Sequence, residues 1–145
     1  MYRLIYWSQS TIPAEEELLK LREILTEAMR FNQMHDLTGV LYFGQGYFMQ
    51  CLEGSQQDVD YIYEKIKLDP RHQSVTTMLI DHVEFRQFNN WEMSFIRQKS
   101  KELAFFKQLG FDGFEPSGLT HHQLNEFLNY LYFESIQDSR QIAAY

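Results

Sequence analysis

The sequence predicts one α+β domain, and three observations lead there. A chain of 145 residues, 44% of them hydrophobic, fills a single core and would leave two cores starved. Segments with the two-residue alternation of strands follow segments with the three- and four-residue spacing of amphipathic helices. Neither an internal repeat nor a low-complexity linker separates them. Aromatic residues make up 16% of the chain. So many flat side chains serve either the packing of helices on a sheet or the burial of a planar ligand, and composition leaves both open.

Met1 to Ser8 (MYRLIYWS) is rich in Tyr, Ile and Trp and predicts a first strand, with Leu4, Tyr6 and Ser8 on one side and Arg3, Ile5 and Trp7 on the other. Pro13 opens a helix whose stripe is Leu18, Leu21, Leu25, Ala28 and Asn32. Asn32 closes that stripe, and a buried amide there needs partners from backbone or ligand. Asp36 to Gly44 and Gly46 to Gly54 are strand-like and joined through Gln45, which predicts a hairpin. A strand follows Gly46, so Gly44 and Gly46 are not a dinucleotide fingerprint. Ser55 caps a second helix with stripe Val59, Ile62, Tyr63 and Ile66, ending near Pro70. His72 to Val83 and Phe88 to Arg97 predict strands four and five, with Trp91, Met93 and Phe95 pointing one way. This order is that of a ferredoxin-like five-stranded mixed sheet with two helices on one face. The other face must be covered, and two short C-terminal helices, Lys101 to Leu109 and Thr120 to about Glu134, supply Phe105, Phe106, Leu124, Phe127, Leu128, Leu131 and Tyr132 for it.

Charge and cysteine content narrow the function classes. A formal net charge of -7 repels phosphate backbones and anionic lipid surfaces, so neither nucleic acid nor membrane is the expected partner. The single Cys51 permits no internal disulfide and fits a reducing compartment, the cytoplasm by default. No leader-like segment opens the chain and no run of about twenty apolar residues occurs in it. Catalytic and metal constellations are thin. His35 beside Asp36 and His121 beside His122 lack any companion pattern, so no metal site is expected, and Ser8, Ser10 and Ser55 lack a nucleophile elbow. Cys51, between Gln50 and Leu52 in a strand, reads as a small buried hydrophobe.

What remains is Tyr6 on strand one, Asn32 at the end of helix one, Gln50 on strand three, and Trp91 with Met93 on strand five. Strands one and three are central neighbours in the predicted topology. A phenol and an amide on the same face there can hydrogen-bond, with the amide donating on one side while accepting on the other. The plainer reading of Gln50 is a satisfied core amide. Lys65 and Asp69, four apart, read plainly as a solvent-facing pair.

The stretches RLIYWS (3–8), FNQMHDLTGVLYF (31–43), YFMQCLEG (47–54), DPRH (69–72) and RQFNNWEMSF (86–95), in that order, resemble the BLUF family of blue-light sensors that use FAD. The resemblance covers about residues 2 to 97, and FFKQLGF (105–111) resembles the short stand-alone members. It implies a flavin-binding core over 1–98 and a helical extension over 99–145 packed on the same domain. It further implies FAD between the two helices, Tyr6 as photochemical donor, Gln50 as the switching amide, and Trp91 and Met93 as the relay into strand five. Asn32, Lys65 and Asp69, with Gln50, would contact the cofactor, while Arg71 and His72 match a frequent architectural string. Two positions depart from the family: Phe31 stands where Asn or His is common, and Trp7 where a small residue is. On this reading the protein is not an enzyme. It passes its signal to a regulatory protein of the response-regulator or transcription-factor type and forms a homo-oligomer. The alternative is a ligand-free ferredoxin-like interaction domain. A cysteine-adduct light sensor and a small flavin reductase fit the residues less well.

Overall fold

The computed structural model describes residues 1–89 and 93–143, the side chains of 138–143 excepted. Five strands, β1 (Tyr2–Ser10), β2 (Thr38–Gly44), β3 (Tyr47–Gly54), β4 (His72–His82) and β5 (Ser94–Arg97), form one sheet in the order β4-β1-β3-β2-β5. All pairings are antiparallel except β2 with β5. The helices are α1 (Glu17–His35), α2 (Gln56–Leu68), α3 (Ser100–Gln108) and α4 (His121–Ala143). The sheet is mixed and the class is α+β, as the sequence predicts.

The hairpin turn consists of Gln45 and Gly46, both at positive φ (51° and 81°). That is the backbone a two-residue turn needs to match the twist of its strands, and Gly46 adopts it without strain. It sets Gly44 opposite Tyr47, and on the other side of β3 the separate β1 ladder sets Tyr6 opposite Gln50. The Ser55 hydroxyl accepts from the Asp58 N–H and starts α2.

Alternation along the central strands divides the core into two layers. Leu4, Tyr6, Leu41, Phe43, Phe48 and Leu52 face α1 and α2, where Leu21, Ile24, Val59 and Tyr63 meet them. Ile5, Val40, Tyr42, Met49, Cys51 and Ile96 face the other way, beneath Phe106, Phe114, Phe127 and Leu131. The C-terminal helices therefore cover the back of the sheet, although α4 is a long helix and not a short one. Trp7, on the back parity, packs edge-on against Tyr47 with centroids 5.9 Å apart.

Three details differ from expectation. In α1 the stripe holds at Leu21 and Asn32, which are buried, and at Leu25 and Ala28, which pack on the core, and Ile24 joins it, but Leu18 in the first turn is 54% exposed. Asp69 is not on α2: it caps the helix with ψ 121°, the extended conformation that a following proline imposes. Strand five begins at Ser94 and not at Phe88. The backbone N–H groups of Gln87 and Phe88 go instead to the Glu53 carboxylate at 2.6 and 2.9 Å, satisfying donors that a ladder would otherwise take. Glu53 is completely buried. Trp91 lies outside the described residues.

Candidate functional site

Between α1, α2 and the underside of the sheet lies a slot of about 320 Å³, within the range of small-molecule and cofactor sites. Its walls are Ile24, Ala28 and Phe31 from α1, Ile62 and Ile66 from α2, and Leu41 from β2. Polar groups reach it from Tyr6 and Gln50 on the sheet, and from Lys65, Asp69, Arg71, His72 and Glu27. Flat apolar walls with one polar edge suit a planar heteroaromatic ring. Cationic side chains suit an anionic tail.

The register places Tyr6 and Gln50 on directly opposed positions of β1 and β3, so their side chains leave the same face. The Tyr6 hydroxyl donates to Gln50 Oε1 at 2.5 Å, and Gln50 Nε2 points at Met93 Sδ at 3.7 Å. All three residues are buried. Burial pushes the Tyr6 phenol far above its ordinary range, with Tyr63 and Asp69 adding to the effect. Tyr6 is therefore a neutral donor. The Tyr63 ring lies 5.2 Å from that of Tyr6, but its hydroxyl is engaged with Thr77 Oγ1 at 2.7 Å.

Asp69 does not pair with Lys65. Its carboxylate takes three contacts from the Arg71 guanidinium, the shortest 2.6 Å, and Arg71 reaches Glu27 of α1 at 2.7 Å. Burial raises the Asp69 pKa, but hydrogen bonds from Arg71 outweigh it and hold the carboxyl below its ordinary range. The Lys65 ammonium lies 4.9 Å from the Tyr61 ring centroid. Asn32 is buried but does not line the slot, whereas its neighbour Phe31 does. Among the expected residues, the structure thus brings Tyr6, Gln50, Met93, Lys65 and Asp69 together, and Asn32 stands next to the wall residue Phe31.

His72 is a more intimate part of the slot than its place in a string suggests. It is buried, its Nδ1 is 2.7 Å from Ser8 Oγ, and its ring lies 4.6 Å from that of Phe48. Burial lowers its pKa from 6.5 to about 4, Asp69 pulling the other way and Arg71 adding to the lowering. The unfolded chain takes up this proton below about pH 6.5 while the native protein resists until about 4, so stability present above 6.5 is lost as pH falls between them. A depression of that size corresponds to a loss of order 3 kcal/mol. Chemical denaturation of the cofactor-free protein and of His72→Gln across this window should give a steeper pH dependence for the wild type. Equal slopes would mean that His72 is not buried neutral.

A sheet with a slot for a planar ring beneath it, and a tyrosine, an amide and a thioether in hydrogen-bond sequence along its edge, defines a chromophore-binding sensor domain. Residues 1–94 match the family described as BLUF, sensors of blue-light using FAD, and the chain belongs to that family and uses FAD. Among solved structures, the photo-activated state of BlsA is 37% identical with a TM-score of 0.86, the match covering 90% of this chain and 94% of that one. The dark-state structure of BlrB, at 21% identity and TM-score 0.79, shares the fold. The blue light- and temperature-regulated antirepressor BluF of Escherichia coli is 35% identical over 109 residues, 75% of this chain and 27% of that protein. A photoactivated adenylate cyclase subunit beta of Euglena gracilis is 32% identical over 91 residues, 63% of this chain and 11% of that protein. The chain thus spans only about a quarter or less of those two relatives. Among the described residues no helix is long and apolar enough to cross a membrane and no cluster of candidate metal ligands occurs.

Proposed function

We propose that this protein holds the FAD ring in the slot between α1 and α2 and turns light absorption into a rearrangement of Gln50 that a regulatory partner reads through the C-terminal helices. The observation that carries this reading is the buried sequence Tyr6 to Gln50 to Met93 beside the slot. FAD, when bound, would supply the blue absorption and the electron acceptor. Tyr6 would be the donor, its phenol proton passing to Gln50 Oε1 as the electron leaves and returning with the electron on recombination, so that the lasting change lies in the hydrogen bonds alone. In the other orientation of the Gln50 amide, Nε2 faces Tyr6 and Oε1 faces Met93. Tyr6 must then accept where it donated, and Met93 Sδ loses its donor. A buried hydrogen bond contributes ~1 kcal/mol net while an unpaired partner costs about 1–3, so the two orientations are discrete states.

Met93 adjoins Ser94, whose hydroxyl is 2.7 Å from that of Ser135 on α4. This supports β5 as the route from the amide to the C-terminal helices, and Trp91 shares the relay on the family's pattern. Lys65 serves the ribityl or phosphate oxygens, Asp69 acts through its hold on Arg71, and the Asn32 amide is assigned to the pyrimidine edge of the ring. Residues 1–98 act as the flavin-binding core and 99–145 as an extension of the same domain. The role is non-enzymatic and cytoplasmic, with output by contact to a response regulator, a transcription factor or a second copy of the chain.

Illumination should give a small red shift of intact oxidised flavin bands that reverses in darkness, and Gln50→Leu should bind FAD but lose that shift. Difference spectra at equal flavin occupancy decide it. Persistent bleaching, or a shift retained in Gln50→Leu, would count against the amide switch.

A further inference from the structure

Two sets of side chains bridge α1 and α2 across the slot, each through a residue that lines it. At one end Arg71, just past α2, holds Glu27 of α1. At the other, Phe31 is stacked with two aromatic rings: His35 at 4.1 Å and 22°, and Tyr61 of α2 at 5.8 Å and 13°. His35 Nδ1 also lies 3.2 Å from Asp58 Oδ1 in the first turn of α2. From Glu27 to His35 the helix rises ~12 Å, so the two bridges bracket the middle of the slot, where Ala28, Ile62 and Ile66 form the walls. Of the three stacked rings only Phe31 lines the slot. Tyr61 is 52% exposed, so burial does not account for its position. Stacking on Phe31 and the Lys65 ammonium on its ring do.

We infer that the His35, Phe31 and Tyr61 stack is a clasp that fixes the separation of α1 and α2 and thereby sets how fast the flavin ring enters and leaves, with His35 and Tyr61 as positioning residues that never touch the ring. The inference rests on the slot being the FAD site. The ionic bridge at the far end is partly exposed, with the Glu27 side chain 64% accessible, and such pairs hold weakly in water. Aromatic stacking does not depend on charge and is not screened by salt, so the clasp is the firmer of the two. Phe31 makes the third ring possible. An asparagine or histidine there would give either no ring or a more polar one for His35 and Tyr61 to stack with.

The test uses the full chain carrying bound FAD. It is exchanged in the dark against excess isotope-labelled FAD, and the bound label is read by mass spectrometry after rapid desalting. Tyr61→Ala and His35→Ala should exchange about three- to ten-fold faster than wild type, the range one aromatic contact supplies. Tyr61→Phe, which keeps the ring, should exchange at the wild-type rate, and the shape of the light-dark difference spectrum should be unchanged in all three. In the cofactor-free protein, Tyr61→Ala should speed amide hydrogen exchange at 31–35 and 56–61 and leave β1 and β3 unchanged. Label exchange at the wild-type rate in Tyr61→Ala, or equally fast exchange in Tyr61→Phe and Tyr61→Ala, would overturn the clasp. Ala28→Trp, which fills the slot, separates the two levels. Undiminished FAD binding in that variant would overturn the location of the site itself, whereas lost binding there with slow exchange in Tyr61→Ala would overturn the clasp alone.

Discussion

Replacing Tyr6 by phenylalanine should leave FAD bound and its dark bands nearly in place, and should remove the reversible red-shifted state almost entirely. The change deletes one oxygen from a residue that is 1% exposed, so the ring stays packed against Tyr63. What disappears is the donor to Gln50 Oε1. Phenylalanine has no proton to give along that line, and its ring is much harder to oxidise than a phenol. Burial keeps Tyr6 neutral, so loss of the electron is followed by loss of the phenol proton, and the side chain that lacks the hydroxyl fails at both. Stability should fall by about 1–3 kcal/mol, the cost of leaving the Gln50 carbonyl unpaired. Tyr63→Phe is the informative control. Tyr63 is the aromatic ring beside Tyr6, yet its hydroxyl serves Thr77 and not Gln50. Transient absorption and steady-state difference spectra on both variants, at equal flavin occupancy, should show the product lost in Tyr6→Phe and kept in Tyr63→Phe. The reverse pattern would move the donor to Tyr63.

The parts of this site legible in the sequence are those fixed by strand alternation and turn chemistry. Gln45 and Gly46 locate the hairpin, and with β1 and β3 adjacent a period of two puts Tyr6 and Gln50 on a common face, while their direct opposition is set by the β1–β3 register. Helical phase is harder to read. Leu18, Leu19, Leu21, Ile24 and Leu25 place apolar side chains around more than half of α1, so no spacing rule alone selects Leu21 and Ile24 as the buried pair. Glu53 carries no signal at all, since a carboxylate in a strand reads as exposed. It is buried because a distant segment presents two N–H groups to it. The family pattern marks Phe31 as a departure, but its meaning depends on Tyr61, thirty residues on and across the slot. Contacts between elements, and not properties of any one element, hold what the sequence leaves unread.

Ending the chain after Lys99 should abolish the folded monomer, and no concentration of FAD should restore it. Removing α3 and α4 uncovers Ile5, Val40, Tyr42, Met49, Cys51 and Ile96, all at most 2% exposed in the complete protein. Burying one such side chain contributes ~1.5–3 kcal/mol, so the six together represent of order 10 kcal/mol, against a typical total stability of about 5–15. Ligand binding offsets little of this, because even a thousand-fold excess over the dissociation constant adds only about 4 kcal/mol. The bare face would also be a contiguous apolar patch on a sheet, and aggregation should follow. A graded variant keeps the result interpretable. Phe127, completely buried against Tyr42, Phe106 and Phe114, should cost about 3–5 kcal/mol on truncation to alanine and leave a folded, less stable protein with its red shift intact. Size-exclusion chromatography with denaturant titration separates these outcomes. A truncated chain that stays monomeric, folded and light-responsive would show that the front layer around the slot is self-sufficient. Residues 99–145 would then be an accessory to the sensor and not half of its core.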